Sequence, residues 1–371
     1  MRAGRGAKLL RVVRIGLIGL GTVGQAVVQL ARSFAATTFQ IERVVVRDHQ
    51  KVRPDGLSVS SDPRDVLEDP AIDIVVEAAG GREPARQWIL EALANGKSVV
   101  TANKEVMAYH GPELLAASRT HRSYLGYEAA IGGGIPIVDS LRYHFTSASV
   151  HQVYGVLNGT TNYLLCAMAR GRSLQHVLVE AQRLGFAEAD PTADIQGLDT
   201  GRKLVLLIHL AFGIWTDPDR LTVQGLEEWP SSLLSRLDSE GLGLRLLAVA
   251  RRGNDDRITA QVRPTVVPKA SPLMGLQGAQ NGVGIITAAG HFWIQGPGAG
   301  GLPTATSIWA DIRRARDIDM TEAAPPDELR SEPDPVLMPV WSIAVDPDRK
   351  IDDANRSDEG IIAFPRFDPP A

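Results

Sequence analysis

Asp199 and Lys203 stand four residues apart in a stretch of helical pattern, so on a helix they share one face and the carboxylate can hold the ammonium in one orientation. A pair of this kind in open solvent is an ordinary surface ion pair. Here the apolar run Leu204 to Ile208 follows at once, which carries the helix into a core and takes the lysine out of bulk water. A lysine so placed is a candidate to exchange a proton with a reacting oxygen. Just upstream, Glu188, Asp190 and Asp194 crowd further acid beside that single lysine. Carboxylates packed this densely repel one another unless a cation arrives, so the stretch reads as a pocket for a small zwitterion.

A second group of residues suits phosphate. Gly19-Leu20-Gly21-Thr22-Val23-Gly24 comes directly after the apolar run Val12 to Ile18 and opens a helical pattern. In that context Gly19 makes a tight turn, Gly21 lets the backbone approach a pyrophosphate, and Gly24 lets helix and strand pack closely. Thr22 and Val23 then sit at the amino end of the helix, whose unpaired N–H groups face the phosphates. The following strand ends Val46-Arg47-Asp48. An arginine at that place accommodates a 2′-phosphate, whereas an acid binds a ribose hydroxyl. With Arg47 first and Lys51 and Arg53 close behind, NADP is favoured over NAD; Asp48 takes the ribose instead if Arg47 turns outward.

Positioning these groups requires particular elements. The first 130 residues alternate β-branched runs (Val12 to Ile18, Ile41 to Arg47, Ile72 to Ala78, Ser98 to Ala102, Ser123 to Glu128) with helical patterns at Val23 to Phe34, Glu83 to Ala94 and Gly111 to Thr120. That alternation predicts an α/β fold, a Rossmann-type doubly wound parallel sheet. The dinucleotide-binding domain is expected over residues 1–147, completed by a helix over 304–316 after Pro303. A second, α+β domain is expected over 148–303, with a strand at Val150 to Leu157, helices at Thr161 to Ala169, Leu174 to Leu184 and Gly197 to Ala211, and strands near Leu244 to Ala250 and Ile258 to Pro264. The last 55 residues hold nine prolines and are expected to form an extended arm, residues 317–371, with one short strand at Val340 to Val345.

Composition narrows the function classes. The chain has 371 residues, 44% hydrophobic and 22% charged, which excludes wholesale disorder and fibrous architectures. Its net charge is -4, but the arm from Asp317 onward carries 14 acidic and 5 basic residues, leaving the preceding part mildly basic. That scattered excess is too small for a nucleic-acid stripe, so no nucleic-acid partner is expected. Arg2, Arg5, Lys8 and Arg11 ahead of Val12 to Leu20 imitate a secretory signal, yet Arg14 interrupts the apolar run and no small-residue cleavage site follows. The longest other apolar segment, Leu204 to Trp215, falls short of the roughly 20 residues of a membrane span. With Cys166 as the one cysteine, no internal disulfide or thiolate cluster can form, and a cytoplasmic protein without membrane contact is expected. Cys166 itself is expected on a helix as a small buried residue, and the scattered histidines, such as His110, His151, His176 and His209, show no ligand spacing.

Five longer motifs narrow the reading further. Thr101-Ala102-Asn103-Lys104-Glu105, Tyr127 to Pro136, Asn158-Gly159-Thr160-Thr161-Asn162-Tyr163, Gly185 to Asp194, and Gly296-Pro297-Gly298-Ala299-Gly300 with Pro303-Thr304-Ala305 together resemble the homoserine dehydrogenase family, in the family's order. The resemblance implies a reversible NAD(P)-dependent reduction of L-aspartate 4-semialdehyde to L-homoserine, a substrate and dimerisation role for the second domain, and a homodimer. It implies that Lys203 exchanges the proton at the substrate oxygen with Asp199 in support, and that Glu188 and Asp194 line the substrate pocket. It places Lys104 with both cofactor and substrate, and Gly300 at the nucleotide. It also implies a monovalent cation, usually sodium, at Glu128, Ile131, Gly133 and Ile135, held mostly by backbone carbonyls. The arm offers no βαββαβ pattern, so a monofunctional enzyme without an ACT domain is expected. A related dehydrogenase of another amino-acid semialdehyde, or an NADP-binding sensor without catalysis, are the alternative readings.

Overall fold

The computed structural model describes residues 12–34, 38–48, 56–145, 150–184, 186–188, 190–226, 231–253 and 255–318. Lys51, Arg53, the first eleven residues, and the arm with its expected strand Val340 to Val345 lie outside the described residues. The described residues fall into two compact units, one that runs to Pro136 and resumes at Gly300, and one that spans Ile137–Ala299.

In the first unit β1 (Val13–Ile18), β2 (Phe39–Val45), β3 (Val59–Ser60), β4 (Ile74–Glu77), β5 (Ser98–Thr101) and β6 (Leu125–Gly126) form a sheet in the order β3-β2-β1-β4-β5-β6. Every neighbouring pair is parallel. The strands read as unbroken apolar runs because a parallel sheet is covered on both faces, and β4 is buried throughout. Its helices are α1 (Thr22–Ala31), α2 (Arg64–Leu67), α3 (Ala85–Ala94), α4 (Lys104–Thr120) and α5 (Ala129–Gly132). Two elements depart from expectation. Helix α4 begins seven residues before Gly111, because the Asn103 side chain caps it by accepting from the Val106 N–H at 3.1 Å; Pro112 lies inside the helix, which the packing of Val106, Met107, Leu114 and Leu115 carries through. The expected strand Ser123 to Glu128 shortens to β6, and Glu128 already turns into α5.

The second unit contains α6 (Ile137–Asp139), β7 (Val150–Val156), α7 (Gly159–Met168), α8 (Leu174–Arg183), α9 (Thr192–Ile195), α10 (Leu198–Phe212), β8 (Thr222–Val223), α11 (Ser231–Ser239), β9 (Leu242–Arg252), β10 (Ile258–Pro268), β11 (Gln280–Thr287) and β12 (Gly290–Pro297). The strands pair in the order β12-β11-β7-β9-β10-β8, antiparallel apart from β8 against β10. Strands β11 and β12 and helix α11 go beyond the sequence reading. The glycines of β11 look like loop residues, yet Gly282 and Gly284 are where Trp293 and Tyr154 lie flat on the sheet: an added Cβ would come within 2.4 Å and 2.2 Å of those rings. Cys166 lies on α7 as expected, but half-buried rather than fully enclosed.

The last described helix, α12 (Gly301–Asp317), belongs to the first unit. It starts ahead of Pro303, which sits in the first turn where a missing N–H costs nothing. Trp309 anchors it. The indole packs on Phe34 and Phe39, with ring centroids 4.5 Å and 5.4 Å away, and its Nε1 donates to the Val27 carbonyl at 3.1 Å. Trp309→Ala should therefore lower folding stability by about 3–5 kcal/mol, the range for truncating a buried aromatic, as read from denaturant unfolding.

Candidate active site

Lys203 and Asp199 lie on the buried face of α10, with side chains 11% and 8% exposed and Nζ 2.8 Å from Asp199 Oδ2. The ammonium also donates to the Leu157 carbonyl at 2.7 Å, at the end of β7. An ammonium has three N–H donors, so these two bonds leave one without a protein partner among the described residues. The next residue, Asn158, ties the acids together: its Nδ2 donates to Asp194 Oδ1 at 2.7 Å and to Asp199 Oδ2 at 2.9 Å, while its Oδ1 caps α7 through the Thr161 N–H at 2.8 Å. Asn281 donates to the same Leu157 carbonyl at 2.9 Å. Neither asparagine was singled out by charge or spacing. In sequence Asn158 stood only as the first residue of the Asn158 to Tyr163 motif, ahead of a helical pattern.

The other acids of the stretch behave differently. Glu188 is exposed, and among the described residues no hydrogen bond or ion pair engages its carboxylate. Asp190 also faces solvent, and the Thr192 side chain and backbone N–H hold its carboxyl below the usual carboxylate range. It is thus committed to the start of α9 and not to Lys203. The structure joins Asp194, Asp199 and Lys203 through Asn158, and leaves Glu188 and Asp190 outside that network.

In the first unit, the three glycines after β1 meet three different constraints. Gly19 has φ +101°, and an added Cβ would lie 2.7 Å from the Ala78 carbonyl. At Gly24 an added Cβ would lie 2.2 Å from the Gly19 oxygen, so β1 and α1 pack through it. Gly21 has no such neighbour within 4 Å. It precedes α1 with no side-chain cap and no acid in the first turn, which leaves the N–H groups of Thr22 and Val23 open to an anion. Protein packing explains Gly19 and Gly24, whereas the room around Gly21 suits a ligand's approach, so the residues fit a dinucleotide. Arg47 and Asp48 are exposed, two and three residues past the end of β2. Lys104 is the first residue of α4 and half-buried, and Gly300 precedes α12 with φ +112°.

Glu128, Ile131, Gly133 and Ile135 share one tight turn around α5. Glu128 is 2% exposed and its backbone N–H donates to Asp311 Oδ2 at 2.9 Å; Asp311 also accepts from the Tyr124 hydroxyl at 2.8 Å. Gly133, with φ +62°, gives its carbonyl to the Ser307 hydroxyl at 2.6 Å. Asp311 and Ser307 lie on α12, some 180 residues away, which is why sequence spacing did not reveal them.

A family model described as homoserine dehydrogenase matches residues 136–312, and one described as the NAD binding domain of homoserine dehydrogenase matches residues 19–128. Homoserine dehydrogenase of Bacillus subtilis (strain 168) is 37% identical over 315 residues, covering 82% of this chain and 72% of that one. The crystal structure of a homoserine dehydrogenase from Thiobacillus denitrificans superposes with a TM-score of 0.84 at 36% identity, covering 90% of this chain and 80% of that one. A hyperthermophilic archaeal homoserine dehydrogenase mutant in complex with NADPH is similar at 26% identity, with a TM-score of 0.70, covering 82% of this chain and 97% of that one.

The glycine geometry separates folding from binding. Gly21→Ala should leave folding stability within about 0.5 kcal/mol of the parent and weaken dinucleotide affinity about tenfold or more, because the methyl occupies only ligand space. Gly24→Ala should destabilise by about 1–3 kcal/mol through overpacking against Gly19. Thermal unfolding and nucleotide fluorescence titration of both variants check the contrast.

Proposed function

The chain belongs to the homoserine dehydrogenase family, and from that membership and the geometry of each unit we infer how its residues divide the reversible NAD(P)-dependent reduction of L-aspartate 4-semialdehyde to L-homoserine, a step of amino-acid biosynthesis. When bound, the dinucleotide supplies or accepts the hydride at C4 of the amino acid. The single observation that carries the assignment is the Lys203 ammonium, anchored on two sides by Asp199 and Leu157 with one N–H left over among the described residues. In the reducing direction that N–H donates the proton to the oxygen as negative charge develops on it; in the oxidising direction the neutral amine takes the hydroxyl proton. Asp199 fixes the amine and stabilises its charged form. Asp194 and the exposed Glu188 bind the substrate ammonium, and Lys104 serves both substrate and nucleotide.

Gly19, Gly21, Thr22, Val23 and Gly24 hold the pyrophosphate, with Gly300 as a further contact. NADP is the preferred nucleotide: Arg47 is exposed just past β2, free to reach a 2′-phosphate, and the archaeal relative was solved with NADPH. A monovalent cation is held at Glu128, Ile131, Gly133 and Ile135; the buried side chain of Glu128 and the Gly133 carbonyl fixed by Ser307 support that reading. The enzyme works as a homodimer through the second unit, in the cytoplasm, where the free thiol of Cys166 is at home.

Lys203→Ala should lower turnover by about 100-fold or more in both directions while nucleotide affinity stays at the parent value; near-intact turnover would remove the proton-transfer role. Arg47→Ala should raise the KM for NADP about tenfold with little effect on NAD, and initial rates with the two nucleotides measure that selectivity directly.

A further inference from the structure

Glu77 ends β4 and is 1% exposed, a buried acid that the reaction as assigned does not use. Its Oε1 accepts from the backbone N–H groups of Ala79 at 2.8 Å and Gly80 at 3.0 Å, and its Oε2 from the Thr101 hydroxyl at 2.6 Å. The Thr101 oxygen in turn accepts from the Asn103 N–H at 3.0 Å, so the hydroxyl proton is directed at Glu77 and every donor in the set points toward the carboxylate. All three partners are neutral. Among the described residues no lysine, arginine or histidine pairs with Glu77, and a buried charge without a counter-ion is retained only where something offsets its desolvation.

What the bonds hold is the turn Ala78 to Gly81. Glu77 grips its start, and Asn103 Nδ2 donates to the Gly81 carbonyl at 2.7 Å while Asn103 Oδ1 caps α4, whose first residue is Lys104. Gly80 and Gly81 both have positive φ, so the turn has a special shape that these bonds maintain. In a parallel sheet of this strand order a dinucleotide lies outside the carboxyl ends, across the point where the order reverses between β1 and β4. Gly19 to Gly24 and the end of β2 take the pyrophosphate and the adenosine side, which leaves the nicotinamide end to the β4 and β5 side. A nicotinamide ring is cationic when oxidised and neutral when reduced, so an unpaired anion there distinguishes the two forms by charge.

We propose that Glu77 is a positioning residue for the nicotinamide end of the nucleotide, fixing the Ala78 to Gly81 turn and favouring the oxidised form through its buried charge. The proposal rests on the dinucleotide reading of the first unit. Its test is the affinity of the full chain for NADP and for NADPH, titrated without substrate, in the parent, Glu77→Gln and Glu77→Asp. The glutamine keeps an oxygen for both N–H groups but removes the charge, so affinity for NADP should fall relative to NADPH by about fivefold or more. The aspartate keeps the charge but is one methylene short of Thr101, so both affinities should fall together at the parental ratio. A parental ratio in Glu77→Gln, or a shifted ratio in Glu77→Asp, overturns the proposal. A parent chain that binds neither form would instead overturn the dinucleotide reading itself.

Discussion

The interaction on which the proposed chemistry of the second unit depends is the buried pair of Lys203 and Asp199. A lysine taken out of water is tolerable only if its donors are met, and here one carboxylate and one main-chain carbonyl meet two of three. The same bonds define a direction. Because Leu157 closes β7 and Asn158 opens α7, the strand-to-helix junction supplies the carbonyl for the ammonium and the amide for its counter-ion from adjacent residues. Helix α10 cannot rotate without breaking contacts to that junction. Burial thus converts a flexible four-carbon side chain into a fixed donor, which surface pairing at the same spacing could not do.

In the first unit the comparable constraint is closure by α12. Its Trp309 packs on Phe34, just past α1, and on Phe39 of β2, its Asp311 holds Tyr124 and the Glu128 N–H, and its Ser307 holds the Gly133 carbonyl. Gly126 is a glycine for this reason: an added Cβ would meet the Asp311 carboxyl at 2.6 Å. The turn after β6 takes its shape from a helix encoded far away in the chain, and that explains why β6 stops after two residues and why Glu128 starts a helix instead of extending a strand.

How much of this was legible in sequence follows from whether the determining interaction is local. The alternation of strands and helices, the glycine turn and the i, i+4 pair are local, and the parallel sheet and the α10 pair appear where periodicity put them. Lys104 was recognisable as a motif residue, but the start of its helix was placed too late, because the apolar spacing was read from Gly111 and the Asn103 cap was not weighed. Strand β11 was hidden because its Gly282 and Gly284 accommodate Trp293 and Tyr154 from the strands on either side. The roles of Asn158, which the sequence offered only as a motif residue, and of Glu77 were hidden for a different reason. An asparagine ahead of a helix and an acid ending a strand are common, and only the partners they meet across 24 to 41 residues of separation give them a specific role.

The amide of Asn158 also bears on why the acids of this site can be so close. Asp194 and Asp199 accept from the two protons of one neutral group, which holds the two carboxylates together. A lysine or arginine at that position would satisfy the same carboxylates more strongly and would compete with Lys203 for Asp199. A neutral residue with two donors therefore orients the acids and leaves Asp199 as the partner of Lys203. In the function proposed above, carboxylates gathered in this way favour a zwitterionic amino acid over an uncharged aldehyde or alcohol of similar size.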